Sequence, residues 1–118
     1  MVKQIPDIEC LEAAMRAANL RQTVIANNIA NLDTPGYRRQ DVQFTDILSK
    51  AIEADQTELG EVEPKIITPG TTELNEKGND VDLDMEIGEM IKTSGQYKTY
   101  VRLLARLYRR IDMAMQGE

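Results

Sequence analysis

An apolar residue recurs every third or fourth position through two long stretches, one at each end of this chain, and that spacing restricts both stretches to helices that bury one stripe. In the C-terminal stretch Leu83, Ile87, Met90, Ser94, Tyr97, Val101, Leu104, Tyr108, Ile111 and Met115 alternate steps of four and three. The N-terminal stretch does the same through Ile8, Leu11, Met15, Ala18, Gln22, Ile25, Ile29 and Leu32, with Gln22 as its polar member. Two seams of comparable length predict an all-α fold in which helices over 7–32 and 82–115 form an antiparallel, coiled-coil-like pair.

The ends of both helices are marked. Asp7, just behind Pro6, suits an N-cap. Thr34 precedes a proline and is pushed out of the α region, and Pro35-Gly36 suits a type II turn. Asp80, Asp82 and Asp84 load the start of the second helix with negative charge, while Arg102, Arg106, Arg109 and Arg110 load its end. Both arrangements favour the helix dipole by roughly 0.3–1 kcal/mol per well-placed charge. Gly88 and Gly95 interrupt this helix at up to about 1 kcal/mol each, which points to a bend or to the close approach of another backbone.

Between the helices, residues 33–42 read as a turn and basic loop. Phe44, Ile47, Leu48, Ala51 and Ile52 share one face of a short amphipathic helix over 43–53. Residues 54–80 are acidic and punctuated by Gly60, Pro64, Pro69, Gly70 and Gly78. They predict an extended, mobile loop in which Lys65-Ile66-Ile67-Thr68 is the stretch apolar enough for a strand. The whole of 1–118 reads as a single domain.

Composition narrows the function. Five aromatic residues in 118, with no tryptophan, leave little material for a thick core, so stability must come from long helices and from partners. Residues 41–92 hold fourteen acids against four lysines, a net of −10, whereas the remainder holds ten basic against six acidic side chains, a net of +4. That dipolar layout suits head-to-tail protein contacts and argues against nucleic acid. Cys10 is the single cysteine, so no internal disulfide can form.

Catalysis finds no support. Ser49 and Ser94 have no histidine to activate them, Cys10 has no basic neighbour in sequence, and there is no glycine-rich phosphate loop. Asp80-Val81-Asp82-Leu83-Asp84 begins like a calcium loop, but Met85 and Ile91 stand where glycine and a bidentate acid belong, leaving an acidic helix start. We therefore expect no catalytic, metal or cofactor-binding residues, no cofactor and no small-molecule substrate. No stretch is apolar enough for a signal peptide or a membrane span.

The run Ala26-Asn27-Asn28-Ile29-Ala30-Asn31-Leu32-Asp33-Thr34-Pro35-Gly36-Tyr37 places three asparagines in a helix that gains no stability from them. Helix physics alone leaves two readings: amides displayed toward a neighbouring chain, or a solvated helix end terminated by Asn31 or Asp33. For Tyr37-Arg38-Arg39 the alternatives are an interface hot spot and a loop folded back on the first helix. The run resembles the signature of bacterial flagellar basal-body rod proteins. Gly78-Asn79-Asp80-Val81-Asp82-Leu83-Asp84 resembles the start of the C-terminal helix in the proximal-rod branch of that family. The resemblance implies a structural subunit of the proximal rod that self-assembles into a helical tube, the drive shaft. It also implies a subunit-interface role for Asn27, Asn28, Ile29, Asn31, Thr34, Pro35, Gly36 and Tyr37, to which the hot-spot reading adds Arg38 and Arg39. Implied partners are other rod proteins, the MS-ring or its adaptor at the rod base, and the flagellar type III export apparatus. The implied location is the basal body in the periplasmic space, reached without a cleaved signal peptide. The alternatives are the other short rod subunit and a cytoplasmic coiled-coil adaptor or chaperone.

Overall fold

The computed structural model describes residues 4–54 and 59–117, with side chains from residue 8 onward. Two long helices dominate it, α1 (Gln4–Ala30) and α3 (Leu83–Gln116), and they pack along one another. Between them come strand β1 (Asp41–Gln43), helix α2 (Thr45–Glu53), a 3-10 turn (Leu59–Glu61) and strand β2 (Lys65–Ile67). The molecule measures 66 × 28 × 14 Å, a thin slab about as long as α3 itself plus its flanking loop.

All-α therefore needs correcting, because β1 and β2 form a small antiparallel sheet in which Val42 faces Ile66 and Asp41 faces Ile67. The strand expected near Lys65 is present; its partner lies in a stretch read as basic loop. Alternation explains the miss: Val42 and Phe44 point inward from Asp41 to Phe44, but one buried valine among polar neighbours is too short a period to detect. The segment over 54–80 is likewise not uniformly extended. Residues 55–58 lie outside the described residues, while Leu59 and Val62 are buried and Asn79 and Asp80 are nearly inaccessible. Asp7 is not an N-cap, since α1 begins three residues earlier at Gln4.

Helix α1 is the middle element. Its small residues Ala13 and Ala17 let Phe44, Ala51, Leu59 and Val62 approach closely on one side, making the compact apolar cluster. Along its other side runs α3, with Gln22 donating across to the Met90 carbonyl at 3.4 Å. Of the α1 seam, Ala18 and Ile25 are buried, and Ile8, Leu11, Met15, Ile29 and Leu32 half-buried.

The α3 seam is rotated from the expected one. Met90, Tyr97, Leu104 and Ile111 are half-buried as members of both patterns, but Leu83, Ile87, Val101 and Tyr108 are 38–48% exposed. Glu86 and Thr93 are buried and Tyr100 and Leu107 half-buried in their place, each one residue earlier than the expected member. The 3-4 rhythm is unchanged. A hydrophobic pattern cannot see the shift because the strongest inward residue is a glutamate, admitted by the partners described below. Asp82 caps α3, its carboxylate accepting from the backbone N–H of Asp84 and Met85. The helix is continuous through Gly88 and Gly95, and a Cβ at either would meet nothing described within 4 Å beyond the helix's own turns.

Candidate functional site: the joint between the two long helices

The asparagine-rich end of α1 and the Gly-Asn-Asp start of α3 come together in one polar knot. Its centre is Glu86, fully buried. One carboxylate oxygen accepts from Arg39 Nε at 2.7 Å and the other from Asn28 Nδ2 at 3.0 Å. Asn28, also fully buried, is satisfied all round: Nδ2 donates in addition to the Gln40 carbonyl at 2.9 Å, and Oδ1 accepts from the Tyr37 hydroxyl at 2.9 Å and the Gln40 backbone N–H at 3.0 Å. A buried amide whose donors and acceptor are all matched specifies one arrangement, since any other leaves a polar atom dry and unpaired.

Asp80 forms the second anchor. Its carboxylate accepts from the Arg39 backbone N–H at 2.5 Å and from Arg38 Nε at 3.2 Å, so both arginines of the basic loop are tied to the start of α3. Asn79 forms the third. Its amide reaches the carbonyls of Asn31, Leu32 and Thr34 at 2.8–3.1 Å just past the end of α1, adding a donor to the Asn31 and Thr34 carbonyls, which also accept from the Thr34 and Tyr37 backbone N–H, and supplying one to that of Leu32. Its Oδ1 accepts from the Val81 N–H at 2.8 Å.

Backbone geometry makes this possible. Pro35-Gly36 forms the expected type II turn, with Gly36 at φ +77 and the Tyr37 N–H bonded to the Thr34 carbonyl. Gly78, at φ +74, brings a second tight turn against it, and the Gly36 N–H donates to the Lys77 carbonyl at 2.8 Å. Both glycines adopt a conformation that side chains resist.

Charge in the knot is distributed accordingly. Burial acts to lower the Arg39 guanidinium, but the hydrogen bond and charge of Glu86, joined by Asp41 and Asp80, outweigh it and hold Arg39 above its usual value. Burial, then Glu86 and Asp80, pushes the Tyr37 hydroxyl above its ordinary range, and the neutral hydroxyl donates to Asn28.

The residues singled out from sequence divide into two groups. Asn28 and Arg39 are buried inside the chain, and Tyr37 folds back onto α1, so for this loop the fold-back alternative describes the intrachain arrangement. Asn27, Thr34, Pro35, Gly36 and Arg38 remain exposed, with Ile29 and Asn31 half-buried. Sequence reasoning did not single out Glu86 or the amide of Asn79. The available signal for Glu86 was its heptad position, four residues before Met90 and seven before Thr93.

Among the described residues no group of three or more histidine, cysteine, aspartate or glutamate side chains could hold a metal, and no helix is long and apolar enough to cross a membrane. An elongated helical slab, its polar groups committed to fixing one helix against another, is the shape of a structural subunit.

Comparison with known proteins gives the same class. The family described as flagella basal body rod protein matches residues 8–38, covering nearly all of α1 and the turn. The flagellar basal body rod protein FlgB of Bacillus subtilis is 32% identical over 120 residues, spanning 93% of each chain. FlgB of Escherichia coli is 32% identical over 123 residues, covering 83% of this chain and 89% of its own. FlgB of Borreliella burgdorferi is 26% identical over 117 residues. The chain belongs to the FlgB family of flagellar basal body rod proteins, structural components rather than enzymes.

Proposed function

We propose that the chain is a structural subunit of the proximal rod of the flagellar basal body, polymerising through its terminal helices to build the drive shaft. Full-length similarity to FlgB proteins carries this reading, and the slab formed by α1 and α3 supports it by supplying the stiffness that torque transmission requires. The other short rod subunit and a cytoplasmic adaptor are not favoured by the relatives.

The exposed members of the signature, Asn27, Thr34, Pro35, Gly36 and Arg38, with Ile29, Asn31 and Tyr37 at their edge, contact neighbouring rod subunits. Asn28 and Arg39 serve that contact indirectly by fixing the turn. At the rod base the subunit meets the MS-ring or its adaptor, and other rod proteins lie above. It arrives in the periplasmic space through the flagellar type III export apparatus without a cleaved signal peptide. Deleting the gene and fractionating cells that carry a tagged copy tests the reading. Loss of flagella, with the tagged protein recovered in purified basal bodies, is the expected result; normal flagella with the protein left in the cytosol would sink it.

A further inference from the structure

Helix α3 carries an outward face that no other described part of the chain covers. Ile87, Ile91 and Val101 are 42, 69 and 41% exposed. Gly88 and Gly95, one heptad apart, flank Ile91, and apart from the helix's own turns nothing described lies within 4 Å of where their Cβ atoms would stand. Farther along the same face Lys98, Arg102, Arg106 and Arg109 follow at helical spacing, all exposed. This outward surface, with exposed Asp84 and Asp112 near its two ends, is thus apolar and open over residues 87–95 and mainly cationic from Lys98 to Arg109.

The opposite side of the slab has the complementary character. The α2 helix and 3-10 turn pack on Cys10, Ala13 and Ala17, roughly half a turn around α1 from Met15 and Gln22, which lie toward α3. There Asp46, Glu53 and Glu63 are exposed, with Lys50 among them, and Ile52 is 52% exposed. Beside them a shallow cleft of about 460 Å³ opens between Ile47, Ala51, Ala54 and Val62.

We infer that the outer face of α3 docks on the α2 and 3-10 turn face of a second copy of this chain. The inference rests on the rod reading and names the surfaces that reading would use. Charge complementarity selects the occupant: a cationic and apolar face meets an anionic and apolar one, and both belong to every copy. Because the two patches differ and lie on opposite sides, the contact is heterologous. It repeats from copy to copy instead of closing into a two-fold dimer, as assembly into a tube requires.

Purified protein followed by sedimentation velocity tests this. One variant reverses the basic face (Lys98→Glu, Arg102→Glu, Arg106→Glu), a second reverses the acidic face (Asp46→Lys, Glu53→Lys, Glu63→Lys), and a third fills the open surface (Gly88→Leu, Gly95→Leu). The wild type is expected to associate with rising concentration and to weaken as salt rises. Each variant should keep its helical circular dichroism and associate at least about tenfold more weakly. An equimolar mixture of the two charge-reversed proteins should recover association, since each then meets a complementary face. A monomeric wild type, variants that associate like wild type, or a mixture no better than its components would overturn the inference. If any of these occurs while the tagged wild type is found in basal bodies, the rod reading stands and only the docking surfaces are wrong; absence from basal bodies removes the rod reading itself.

Discussion

Arg39→Ala would leave the Glu86 carboxylate buried without its cation, in a place where only the Asn28 amide remains to satisfy it. Breaking a buried ion pair from one side costs about 3–5 kcal/mol, whereas replacing both partners with well-packed apolar residues is often close to neutral. Arg39→Ala should therefore lower the denaturant midpoint severely, and Arg39→Met combined with Glu86→Leu should be clearly more stable than that single change. A double variant no better than Arg39→Ala would mean the pair is not what holds the joint. Tyr37 makes a second test. Its folded pKa lies above the ordinary 10.0, so the neutral hydroxyl is favoured in the native state. The stability this contributes is complete below pH 10 and is lost as pH rises through the folded value. Wild type should lose stability above pH 10 relative to Tyr37→Phe, and parallel pH profiles for the two proteins would refute the coupling. At this scale the sequence was least legible. It showed that Asn28, Tyr37 and Arg39 were unusual where they stand, but whether a polar side chain faces water, a neighbour or its own chain depends on partners more than 40 residues away, such as Asp80 and Glu86.

Elements were far more legible, because heptad spacing is local. The 3-4 rhythm located α1 and α3 to within three residues at each end, and the Pro35-Gly36 turn followed from backbone sterics alone. Rotation about the helix axis was not so recoverable: the α3 seam that faces α1 runs through Glu86, Thr93, Tyr100 and Leu107, and hydrophobicity ranks Ile87 and Val101 above them. The short strands escaped because three residues of alternation carry almost no period. Gly88 and Gly95 sharpen the point. In a continuous helix with open space around both, alanine at each position should stabilise the isolated subunit by up to about 1 kcal/mol. Thermal melts of Gly88→Ala and Gly95→Ala check this. A lower melting temperature in either would show that the glycine serves the fold of the single chain, by a bend or a contact within it.

On the scale of the whole molecule, order is concentrated at one end of the slab. The knot ties the C-terminal end of α1 and its turn to the start of α3 through Asn28, Asn79, Asp80 and Glu86, and the apolar cluster supports the same middle helix from behind. Beyond Thr93, by contrast, α3 has no fully buried residue, and Met113 and Met115 are each 70% exposed. Helical hydrogen bonds there are held by half-buried contacts alone, and local opening free energy follows such packing. Hydrogen exchange on the free subunit should therefore be graded along α3, with amides over 98–116 exchanging at least about tenfold faster than those over 86–96, a difference of roughly 1.4 kcal/mol in opening free energy. In assembled rods the gradient should flatten, because the docking inferred above would cover the outer face and complete the burial that the isolated chain lacks. Uniform protection along α3 in the free protein would mean that the helical pair is already complete by itself, and that assembly joins rigid bodies instead of ordering them.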